Sequence, residues 1–140
     1  GTAATELGHI GAMSNGFTFG LAHAVNDAGT TVGYAAKYSA NLLLGYRAVR
    51  WDASGTTATE LGNLGTNTTG YTYSEAVAVN SSGTAVGYAN RYSGDTSLGA
   101  RAVRWAASGT AATELANLGT DASGYNTGAV FDISGGRARY

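Results

Sequence analysis

GTAATELG at position 1 returns as GTTATELG at position 55 and as GTAATELA at position 109, so the three starts are evenly spaced. A chain built on such a period folds as copies of one supersecondary unit that bury their apolar faces against each other. Without gaps, positions 1–54 and 55–108 agree at 31 of 54. The third copy follows the pattern to about Gly124 and then drifts. The chain is therefore read as a single repeat domain, 1–140, with units 1–54, 55–108 and a partial 109–140.

Each unit divides into four short β-prone runs punctuated by Gly, Ser, Asn and Asp. In the second unit these are Ala76–Asn80, Thr84–Asn90, Ala100–Trp105 and Thr110–Leu115. Asn80-Ser81-Ser82-Gly83 and Ala106-Ala107-Ser108-Gly109 read as tight antiparallel turns, because Gly supplies positive φ at little cost. The longer polar run from about Gly119 to Gly128 carries the chain to the next unit. The expected fold is all-β: tandem four-stranded antiparallel blades, β-propeller-like and incomplete in one chain, with a β-solenoid as the alternative. Ten or eleven strands and almost no helix are expected, since no segment keeps apolar residues at helical spacing. Small residues such as Ala76, Ala78, Ala85 and Gly87 suit the crowded centre where blades converge, and Val103 and Trp105 on the third strand supply the bulk.

These residues resemble the bacterial extracellular HAF-family repeats. An Ala-Ile-Asn-x-x-Gly-x-Val-Gly run there precedes an Arg-Ala-Phe-x-Trp strand and a Leu-Gly-x-Leu-Gly turn. Ala24, Val25, Asn26, Gly29, Val32 and Gly33 match, as do Arg47, Ala48, Trp51, Leu61, Gly62, Leu64 and Gly65; Val49 departs where Phe is usual. The resemblance implies a secreted or cell-surface protein with propeller-like blades, and it assigns no activity.

Eight basic against nine acidic residues, and 12% charged residues in all, create no field to draw in nucleic acid. No run approaches the roughly 20 apolar residues of a membrane span. With no Cys, disulfides, thiolate metal sites and Cys nucleophiles are excluded together. His9 and His23 become Asn63 and Val77 in the second unit, and Asp27 becomes Ser81, so no metal or cofactor site belongs to the repeated design. No G-x-S-x-G elbow and no recurring Ser, His and Asp set supports hydrolase chemistry. The expected function is non-enzymatic: a self-assembling structural or adhesive repeat protein, with a carbohydrate-binding propeller lectin as the alternative.

Two groups of residues carry those readings. Tyr38 with Lys37, Tyr92 with Arg91, and Phe17, Phe19, Tyr71, Tyr73 and Tyr125 are expected in loops, where rings stack on sugars and polar neighbours bond hydroxyls. Repetition would then give about two glycan sites per chain. For assembly, residues 1–8 are expected to form a strand whose Glu6 and Leu7 meet the Arg137, Arg139 and Tyr140 end of another copy. Folding about Gly55 is expected to pair Arg50 with Glu60, and Arg104 with Glu114. Asn67-Thr68-Thr69 and Asn80-Ser81-Ser82 also fit the N-glycosylation pattern.

Overall fold

A computed structural model describes residues 2–119. Tyr125, Arg137, Arg139 and Tyr140 lie outside the described residues. The fold is all-β, with eight strands and no helix among the described residues. Blade 1 comprises β1 (Gly20–Val25), β2 (Thr31–Ser39), β3 (Leu42–Trp51) and β4 (Ala58–Glu60). Blade 2 repeats it one period later as β5 (Thr72–Val79), β6 (Ala85–Ser93), β7 (Thr96–Trp105) and β8 (Ala112–Glu114). Pairing within each blade is antiparallel, and every register recurs, including the bulges at Ala22/Ala24 and Ala76/Ala78. A short parallel bridge, Gly45 with Thr72 and Tyr46 with Tyr73, joins β3 to β5 and makes one open sheet that does not close.

Three expectations are corrected. The strands flanking the second hairpin of each blade run further than the punctuation suggested, because Ala40-Asn41 and Gly94-Asp95 turn in two residues with positive φ at Ala40 and Gly94. Tyr38, Lys37, Tyr92 and Arg91 therefore sit in β2 and β6, and Tyr73 in β5, rather than in loops. Residues 2–8 form no strand; Leu7 and Ile10 instead pack on blade 1 beside Trp51. Glu60 lies opposite Val49, one residue off the expected register, and a one-residue slip moves a side chain to the other face. Arg50 is consequently opposite Thr59 and does not reach Glu60, and Arg104 is likewise opposite Thr113 rather than Glu114.

The blades stack face to face. Trp105, Val103, Ala89, Ala85 and Ala76 form the inner face of blade 2, and Val32 and Ala48 of blade 1, with Leu61 from the link after β4, close over them. Ser74 Oγ accepts the Ala48 amide at 2.9 Å across the joint, and Arg50 Nη1 donates to the Gly109 carbonyl at 3.0 Å. The link after β4 is part of this core. Leu61 and Leu64 cross to blade 2, where Gly62 donates to Thr110 O at 2.6 Å and Trp105 Nε1 donates to Gly62 O at 2.9 Å. Residues 7–10 make the same contacts on blade 1, with Gly8 N to Thr56 O at 2.7 Å and Trp51 Nε1 to Gly8 O at 2.8 Å.

Candidate functional site

Asn-x-x-Gly ends the first hairpin of each blade for a local reason. Asn26 Oδ1 accepts the Thr30 amide and Asn80 Oδ1 accepts those of Ser82 and Thr84, while Gly29 and Gly83 adopt φ of 96° and 91°. The two turns are stacked one above the other, Asn26 Nδ2 donating to Asn80 O at 2.9 Å. Asn67 uses its side-chain oxygen in the same way, so both sequon asparagines are committed to their own turns.

Lys37 and Arg91, expected at a ligand, belong to carboxylate clamps. Glu60 accepts Lys37 Nζ at 2.7 Å and Arg47 Nη1 at 3.0 Å; Glu114 accepts Arg91 at 2.8 Å and Arg101 at 2.9 Å. Arg47 also donates to Leu44 O and Gly70 O, which ties the loop before β5 to blade 1. Its side chain is 7% exposed against 18% for Arg101. Glu60→Gln is expected to cost about 1–3 kcal/mol, since it weakens charge-assisted bonds to a nearly buried cation. Glu114→Gln is expected to cost less. Urea unfolding of the two variants checks the order.

The aromatic residues that the fold gathers are mostly ones without a loop signal in the sequence. Tyr73 lies 5.4 Å from Tyr46, 6.3 Å from Tyr34 and 6.0 Å from Tyr88, centroid to centroid, and Phe19 lies 5.8 Å from both Tyr34 and Tyr46. The strip crosses from blade 1 to blade 2. Glu75 sits within it, accepting the Tyr73 hydroxyl at 2.5 Å and lying 3.1 Å from His23 Nε2. The signal in the sequence was the Tyr that follows Val-Gly in β2 and β6. Tyr38, Tyr92, Phe17 and Tyr71 make no ring contact with this strip among the described residues.

Burial, and then the neighbouring Glu75 carboxylate, raise the Tyr73 phenol well above its ordinary value near 10.0. Tyr88 and Tyr34 are raised for the same reasons, burial first. Because these folded-state values lie above the unfolded one, the neutral phenols contribute stability that is fully present below about pH 10 and is lost as pH rises toward the folded values. In an ultraviolet pH titration these three of the nine tyrosines are expected to ionise late, and together with alkaline unfolding. All nine ionising as free phenols in the native fold would contradict this.

Apolar side chains are also left open on the outer faces. Phe19, Leu21 and Val25 are exposed at one end of the stack, and Val77, Val86 and Leu98 at the other. Beside the first group, a hollow of about 340 Å³ opens between Leu7, Gly8, Thr18, Ala22 and Trp51. Glu6 is exposed at its rim. No group of three or more His, Asp or Glu positioned to hold a metal occurs among the described residues, and no described helix is long and apolar enough to cross a membrane. In comparisons with protein-family models, curated proteins and solved structures, the chain matches none of them.

Proposed function

We propose that the chain is a non-enzymatic structural or adhesive repeat module, related to HAF-type repeats of secreted or cell-surface proteins, that works by associating with copies of itself. The observation that carries this reading is the contrast between sealed and open faces. Val32, buried completely between the blades, corresponds to Val86, which is 41% exposed. Ala76, also completely buried, corresponds to exposed Ala22. Apolar residues left open on a sheet face mark an interaction surface. Sedimentation over a range of concentrations tests it: the average mass is expected to climb above that of the single chain. A mass fixed at the single-chain value up to millimolar concentration would overturn the reading.

A second reading, carbohydrate binding, is favoured by the half-exposed Tyr34, Tyr46, Tyr73 and Tyr88 strip with Glu75 at its centre. Saturable binding on a glycan array that Tyr46→Ala weakens at least about tenfold would support it, on the scale of a lost aromatic contact. An array blank for the native chain would dismiss it.

A further inference from the structure

The joint between blades 1 and 2 is a template for a second joint of the same kind, because Val32, Ala48, Arg50 and Ala76, which make it, correspond one period away to Val86, Ala102, Arg104 and Ala22, all exposed on the outer faces. We infer that the outer face of blade 2, centred on Val86, Ala102 and Arg104, docks head-to-tail on the Ala22, Leu21 and Leu7 face of blade 1 in a second copy. The inference rests on the self-association proposed above and adds its register.

Residue by residue the template transfers well. Arg50, which donates to Gly109 O inside the chain, becomes Arg104 donating to Gly55 O of the second copy. Asn26 Nδ2 on Asn80 O becomes Asn80 Nδ2 on Asn26 O of the second copy. Gly45, whose missing Cβ leaves room for Thr72 O, becomes Gly99, which keeps φ near +95° and has nothing within 4 Å of where a Cβ would stand; Thr18 of the second copy takes the place of Thr72. The polar His23–Glu75 contact becomes Val77 against Leu21, two apolar side chains now 46% and 42% exposed. Phe19 takes the place of Tyr73 over Tyr88. The new joint loses two hydrogen bonds, the His23–Glu75 one and the one to Ser74, where Gly20 stands, and it loses the Tyr46–Tyr73 ring contact, because Ala100 stands in the place of Tyr46.

Ala116 explains why a second copy suits this face. The slot on a blade's inner face admits Gly8 or Gly62, where a Cβ would stand 2.8 Å from Thr56 O or 2.7 Å from Thr110 O. The third unit has Ala116 at that position, so its Leu115–Leu118 arm fits such a slot poorly, and Leu118 is fully exposed. A second copy brings the slot already filled by its own Leu7 and Gly8. The joint therefore runs from Glu114 of one copy to Leu7 of the next without a covalent bond, and its geometry is heterologous.

The test uses two variants of the 140-residue chain, Val86→Arg and Ala22→Arg, each burying an unpaired charge in the joint. Both positions are exposed, so both variants are expected to melt as the native chain does. Each alone is expected to weaken association at least about 100-fold in sedimentation, on the scale of a buried unpaired charge. Mixed one to one they retain one good face each, and a complex of about twice the monomer mass, growing no further, is expected. Native chain that stays monomeric would remove both this inference and the self-association. Association that survives in either variant, or a mixture that stays monomeric while the native chain associates, would overturn this register alone.

Discussion

Replacing Trp105 with alanine is expected to cost about 3–5 kcal/mol, the range for truncating a large buried aromatic side chain. Against a typical total of about 5–15 kcal/mol this brings the fold close to failure. Trp105 is fully buried, fills the centre of blade 2 and holds the crossing segment through Gly62 O. Its loss opens a cavity shared by both blades, so their unfolding is expected to remain one transition at a lower urea midpoint. Trp51→Ala is expected to be milder, because Trp51 packs on Leu7, Ile10 and Ala58 with no blade beyond them among the described residues. Trp105→Phe separates the two contributions: it keeps most of the volume, loses the bond to Gly62 and is expected to cost about 1–2 kcal/mol. Equal midpoints for Trp51→Ala and Trp105→Ala would show that the joint does not add to the burial of Trp105.

Both tryptophans, the Asn-x-x-Gly turns and the repeat period were legible because each is a local pattern tied to one conformation. Strand ends were less so. Thr72-Tyr73-Ser74 reads as polar loop, yet Thr72 and Ser74 are completely buried, since their environment is the neighbouring blade rather than water. Leu61-Gly62-Asn63-Leu64-Gly65 reads as a turn for the same reason: what holds it is Trp105, far along the chain from Gly62. The Arg50 and Glu60 pairing failed on a single residue of register, which the composition of the Asp52–Gly55 turn does not fix. Tyr34 and Tyr46 meet Tyr73 only because β5 lies across blade 1, a fact of stacking that no local pattern carries, whereas Tyr88 meets it through the pairing of β5 with β6.

Gly45 and Gly99 offer an internally controlled comparison, and the larger effect is expected at Gly45. The two are equivalent, with φ of +96° and +95°, so an alanine at either carries the same backbone penalty of about 1–2 kcal/mol. They differ in what the new methyl meets. At Gly45 a Cβ would fall 1.8 Å from Thr72 O, a backbone atom of the bridge that joins β3 to β5. Relief requires β5 to retreat, which breaks the bridge and loosens Ser74 and Ala76 from the face they bury. Gly45→Ala is therefore expected to cost at least about 3–4 kcal/mol, the backbone penalty plus overpacking. Gly99→Ala is expected to cost only the penalty, about 1–2 kcal/mol, because its methyl points into open space. Urea unfolding of the isolated variants at low concentration measures the difference directly, and equal costs would mean that the two blades are not joined at Gly45. At high concentration Gly99 acquires a second meaning: if Thr18 of another copy closes on it as Thr72 closes on Gly45, Gly99→Ala abolishes assembly while costing the monomer only the backbone penalty.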